Sequence, residues 1–127
     1  MDPEKLIENL AIAERLKDAT RHCYTSGGRR ESVAEHSWRI TLMAYFVSDE
    51  FPEADLAKLM KMCLIHDLGE AFTGDVPTFE KTEADEEKEA SLLDEWVKKL
   101  PDPFAKEMQE LYREMEERQT LEARIYK

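Results

Sequence analysis

The chain has 127 residues, 42 % of them hydrophobic and 37 % charged, with a formal charge of −11. That length suits one domain with one sizeable core and excludes two comfortable ones. The acidic balance disfavours bulk attraction to a nucleic acid polymer or an anionic membrane, and four Gly with five Pro leave little material for a turn-rich β protein. No apolar run approaches membrane-spanning length, and Met1-Asp2-Pro3-Glu4 shows no secretory leader pattern. Cys23 and Cys63 lack CxxC spacing, so they read as reduced thiols of a soluble cytoplasmic domain, Cys63 in its core.

Asp2-Pro3 reads as a helix start, with Asp at the N-cap and Pro at the first helical position. Leu6, Leu10, Ala13 and Leu16 then keep helical spacing, and the helix fades near Asp18. From Thr20 to Glu31 the periodicity disappears, which predicts a loop with a Gly27-Gly28 hinge and the arginines Arg21, Arg29 and Arg30. Two readings stay open for it: a solvated connection, or an anion-binding lid whose guanidinium groups take phosphate bidentately.

Ser32-Val33-Ala34-Glu35 has the form of a capping box. The second helix is expected from there to about Asp49, with an apolar stripe of Val33, His36, Ile40, Met43, Ala44 and Val47. A third is expected from about Glu53 to Leu68, buried along Leu56, Leu59, Met60 and Cys63, with Gly69 as its stop. Gly74-Asp75-Val76-Pro77 predicts a turn. A charged helix from Thr82 to Leu100 follows, its stripe being Leu93, Trp96, Val97 and Leu100 and its acidic run Glu83 to Glu89 a solvated face. A fifth helix carries Phe104, Met108, Leu111, Tyr112 and Met115, and Thr120 caps a short one containing Leu121 and Ile125. The fold class is therefore all-α, five helices plus the start of a sixth. Trp38, Trp96 and Tyr112 are assigned to packing.

The chemistry gathers at Cys63-Leu64-Ile65-His66-Asp67-Leu68-Gly69-Glu70, where a histidine and an aspartate sit side by side at the end of an apolar helix. Burying such a pair uncompensated costs free energy. A divalent first-row metal offsets it, since imidazole and carboxylate are both good ligands. His36, on the apolar stripe of another helix, is a third candidate. Alone it reads more simply as a hydrogen-bonded core residue, and Glu70 and Asp75 as a helix-end acid and a turn residue. Glu70 falls four residues after His66 and shares its side if the helical path continues.

With these residues in place, the chain resembles the HD-domain phosphohydrolases, and within them the 5'-deoxynucleotidase group. The match rests on Glu31-Ser32-Val33-Ala34-Glu35-His36, on His66-Asp67-Leu68-Gly69-Glu70 and on Thr73-Gly74-Asp75-Val76-Pro77-Thr78, in that order. The resemblance implies a helical HD domain over residues 1–127 that is truncated at its C-terminus, because the family's fourth ligand, an aspartate, falls past Lys127. It implies His36, His66 and Asp67 as metal ligands, Glu70 and Asp75 as catalytic carboxylates that position the attacking water and help with proton transfer, and Arg21 on the substrate phosphate. Arg30, or Arg29 beside it, is a second cation for that phosphate, and Tyr24 stands nearest to the aromatic residue that the family carries beside its arginine. It further implies a homodimer, and a small-molecule nucleotide as partner.

The activity so implied is phosphomonoester hydrolysis of deoxyribonucleoside 5'-monophosphates, with an ion-activated water attacking phosphorus. Histidine and carboxylate ligands point to Mn²⁺, Co²⁺, Fe²⁺ or Zn²⁺ and do not rank them. Alternatives are a non-catalytic HD-like module that binds nucleotide or metal, an HD hydrolase of another nucleotide phosphoester, and a helical interaction domain with an acidic surface.

Overall fold

The structure, a computed structural model, describes residues 1–73 and 82–126. Its described residues form six α-helices and one two-stranded sheet, an all-α protein with a small β-hairpin. Residues contact one another as two compact units: Met1–His36 with Asp67–Trp96, and Ser37–His66 with Val97–Lys127.

In the first unit, α1 (Pro3–Glu14) starts as the sequence predicts. The Asp2 side chain accepts from the Lys5 amide at 2.9 Å, filling one of the amides that a helix start leaves without a partner. Its apolar residues Leu6, Ile7 and Leu10 are nevertheless exposed, and burial begins only at Leu16, in the 3₁₀ turn Arg15–Lys17.

The expected loop is instead an antiparallel hairpin, β1 (Thr20–Tyr24) with β2 (Arg30–Ser32). Thr20 pairs with Ser32 and Tyr24 with Arg30, so the register shifts within β1. Helical periodicity is blind to such a short, irregular ladder. Gly28 turns the hairpin at φ +87°, a conformation that favours glycine. Gly69 also differs from expectation. It lies past the helix end, buried in the 3₁₀ turn Leu68–Ala71, where a Cβ would stand 3.2 Å from Glu89 Cγ. Its part is close packing against α4 (Glu83–Lys98). Thr82 and Asp85 cap that helix reciprocally, amide to side chain in both directions, at 3.1 and 3.2 Å.

α2 (Val33–Phe46) begins in the first unit and ends in the second. The Ser32 oxygen accepts from the Glu35 amide at 3.1 Å, as a capping box requires. Its inward stripe is Val33, Ser37 and Ala44 with Ile40 half-buried, so Met43 is not on it. Trp38 is not a packing residue either: it is 65 % exposed, beside exposed Leu42, Tyr45 and Phe46. The helix also ends before Asp49, which lies in the 3₁₀ turn Ser48–Glu50.

In the second unit, α3 (Leu56–Ile65) is shorter at both ends than predicted, because Asp55 is its N-cap, accepting from Lys58 N at 3.2 Å. Leu59, Met62 and Cys63 are its buried residues, Met62 in place of the expected Met60. Met62 packs with Leu111 and Met115 of α5 (Phe104–Glu117) and Ala123 of α6 (Leu121–Tyr126). Ala44, Leu59 and Cys63 form a second cluster with Ile40, Ile125 and Tyr126. Six-residue α6 is far below the length at which an isolated helix is stable, about 12–15 residues. Its packing partner is thus within the chain, on α3 and α5. Phe104, expected on the α5 stripe, is exposed.

Candidate metal centre

α3 stops at Ile65, and His66 caps it while still helical in backbone. The helical path does not continue. Asp67 has φ −110° and ψ 16°, the sparsely populated bridge region where active-site residues often sit. Glu70 therefore lies in the 3₁₀ turn that follows, its amide donating to the Asp67 carbonyl at 3.1 Å, and not on an α-helical face shared with His66.

The His66 ring is fixed from its own helix. Nδ1 lies 2.6 Å from the Cys63 carbonyl oxygen. A carbonyl only accepts, so Nδ1 carries the proton and the lone pair is on Nε2. Tyr126 approaches the same ring edge-on, at 6.3 Å between centroids.

His36 is held from the hairpin side. Its Nδ1 is 3.7 Å from Glu31 Oε1 and its Nε2 is 3.7 Å from Asp67 Oδ2, with the His36 and Glu31 side chains 18 % and 15 % exposed. The same Glu31 oxygen accepts from Arg21 Nη1 at 2.8 Å. Each of His36, His66 and Asp67 offers one ligand atom, and these atoms lie within 4.8 Å of one another. Two nitrogens and a carboxylate oxygen at that spacing fit a first-row divalent ion, which such ligands surround at about 2.0–2.2 Å each.

The other expected residues fall differently. Arg21 is on β1 and held by Glu31. Arg30 Nη2 donates to His22 Nδ1 at 3.1 Å, on the exposed hairpin. Tyr24 is 67 % exposed at the end of β1. Arg29 binds the Glu35 carboxylate through both terminal nitrogens, at 2.8 and 3.1 Å. That guanidinium holds the Glu35 carboxyl below the usual carboxylate range, and the Ser32 hydroxyl and amide assist. Asp75, and the Gly74-Asp75-Val76-Pro77 turn with it, lie outside the described residues. Glu31 has no role that local sequence signals would show. A hairpin register was needed to bring it beside His36.

The chain is similar to known proteins over nearly all of its length. The family model described as HD domain matches residues 13–127. The human protein named 5'-deoxynucleotidase HDDC2 is 28 % identical over 126 residues, covering 96 % of this chain and 61 % of the relative. Its Dictyostelium discoideum namesake is 30 % identical over 131 residues, covering 95 % of this chain and 69 % of that one. A crystal structure titled as a predicted metal-dependent phosphohydrolase, from Magnetospirillum magnetotacticum, superposes with a TM-score of 0.82 at 29 % identity. It covers 97 % of this chain and 63 % of the other. The chain thus spans 60 and 61 % of the length of its bovine and human relatives.

Proposed function

This chain belongs to the HD-domain family, and from that premise we propose that it is a metal-dependent phosphomonoester hydrolase acting on deoxyribonucleoside 5'-monophosphates. The observation that carries the proposal is the convergence of ligand atoms from His36, His66 and Asp67 within 4.8 Å. The 5'-deoxynucleotidase names of its relatives support the substrate class.

In this reading the three residues hold a divalent ion, one of Mn²⁺, Co²⁺, Fe²⁺ or Zn²⁺. Such an ion supplies Lewis-acid charge that lowers the pKa of water and offsets charge on phosphoryl oxygens. Glu70 aligns the attacking water and accepts its proton, from the turn that begins at Asp67. Asp75 returns a proton to the sugar oxygen as its bond to phosphorus breaks. Arg21 and Arg30, both on the hairpin, hold the phosphate by charge-assisted hydrogen bonds, and Tyr24 borders the nucleoside. Positioning and charge carry most of phosphoryl transfer, so this small set of groups suffices.

Phosphate release from deoxyribonucleoside 5'-monophosphates, with Mn²⁺ or Co²⁺ added, tests the proposal. Release that depends on the ion and disappears in His36→Ala is expected. Ion binding without release from any deoxynucleotide would instead identify a non-catalytic HD-like module.

A further inference from the structure

Two histidines of the candidate centre are each approached by an oxygen at Nδ1. For His66 it is the Cys63 carbonyl, at 2.6 Å. For His36 it is the Glu31 carboxylate, at 3.7 Å, with Asp67 Oδ2 facing Nε2 of the same ring. We propose that Glu31 is a positioning residue for His36: its carboxylate keeps the proton on Nδ1 and turns Nε2, with its lone pair, toward Asp67. The inference rests on the reading of His36 as a metal ligand.

Both ring nitrogens face a carboxylate at 3.7 Å, and a carboxylate only accepts. An ion shared by Nε2 and Asp67 would take the lone pair on that side, which leaves the proton on Nδ1, facing Glu31. A displacement of under about 1 Å brings 3.7 Å to hydrogen-bond length. Oxygen partners at the far nitrogen of a ligating imidazole fix the tautomer and ring orientation and raise ligand basicity.

Glu31 is itself anchored. Arg21 Nη1 donates to its Oε1 at 2.8 Å, so the largely buried carboxylate has a compensating charge. Arg21 lies where the β1 register shifts, and a bulge re-aims the side chains it carries. Glu31 lies on β2 immediately before the Ser32 cap, five positions before His36. The competing reading is that Arg21 and Glu31 merely clip the hairpin together. Loss of a structural clip would lower the melting temperature of metal-free protein and leave the tautomer of His36 and the ion affinity alone.

Zn²⁺, which is diamagnetic, serves as the probe. In Zn²⁺-loaded wild-type protein, long-range ¹H–¹⁵N correlation should find His36 protonated at Nδ1 and ligated through Nε2. Ligation through Nδ1 would overturn the inference without any variant. Glu31→Gln keeps the size but offers an amide N–H₂, a donor that favours the wrong tautomer. It should weaken Zn²⁺ binding by about 10–100-fold in chelator competition, with the metal-free melting temperature close to that of wild type. Undiminished binding in Glu31→Gln, beside tight binding in wild type, overturns the role of Glu31 alone. No Zn²⁺ binding in wild type overturns the site reading and this inference together.

Discussion

His66 donates from Nδ1 to the carbonyl oxygen of Cys63, at 2.6 Å, one turn back in the same helix. That bond uses a carbonyl left over at the end of α3 and settles which nitrogen holds the lone pair. In the proposed centre, removing the ring removes a ligand, whereas the carbonyl can turn to water. His66→Ala should therefore lower affinity for Mn²⁺ or Co²⁺ by more than the ~10–100-fold typical of losing a ligand's outer partner. Metal-free stability should fall much less than stability with saturating ion, because bound ion adds folding free energy. Chelator competition and paired thermal melts read both quantities.

A carboxylate that handles the proton of water can be removed without touching the ion. Glu70→Ala should keep stoichiometric metal and lower kcat by about 10²-fold or more. Steady-state kinetics under saturating ion check it, and an unchanged kcat would remove Glu70 from the mechanism.

The residues that the sequence made legible are those governed by local rules. Asp2, Ser32 and Thr82 cap the helices they were expected to cap or adjoin, since an N-cap needs only a side-chain oxygen and a free amide nearby. Val97, Leu100, Leu111 and Met115 are buried where their spacing put them. The convergence of His36 with His66-Asp67 was legible from two apolar stripes that each carried a polar residue. What failed needed tertiary information. Thr20–Tyr24 and Arg30–Ser32 pair across a hairpin whose register shifts, so neither strand shows clean alternation. Glu31 acquires a partner only through that pairing. Met43, expected on the α2 stripe, and Trp38, expected to pack, are both exposed; size and apolarity mislead there. Buried Ser37 marks the true stripe, and a serine carries no hydrophobic signal.

Gly69 sits against α4 closely enough to test. A methyl group there would stand 3.2 Å from Glu89 Cγ and 3.4 Å from Leu93 Cδ2. Side chains can often move aside, but the Glu89 carboxylate accepts from Thr73 Oγ1 at 2.6 Å and is not at liberty to swing. Gly69→Ala would gain about 0.4–1 kcal/mol from a stiffer unfolded chain. Overpacking costs about 1–3 kcal/mol and should win. Denaturant unfolding is expected to show a lower midpoint at unchanged slope.

Lys58 of α3 donates to Glu114 of α5 at 2.6 Å, with Glu122 of α6 at 3.9 Å. The Glu114 hydrogen bond, with charge from Glu114, Glu122 and Asp55, holds the Lys58 ammonium above the ordinary lysine range. A raised pKa in the folded state means stability that is fully present below the unfolded lysine pKa and is lost as pH rises through the folded one. The side chain is a third exposed, so the pair is worth about 0–1 kcal/mol. Lys58→Met should lower the melting temperature at pH 7 slightly, and the gap to wild type should close under strongly alkaline conditions.

The account depends most directly on an ion held by His36, His66 and Asp67. Equilibrium dialysis of the metal-free chain against Co²⁺, with wild type and Asp67→Ala side by side, measures this. About one ion per chain is predicted for the wild type, and none at the same free concentration for Asp67→Ala. Equal binding by both, or none by the wild type, would contradict it.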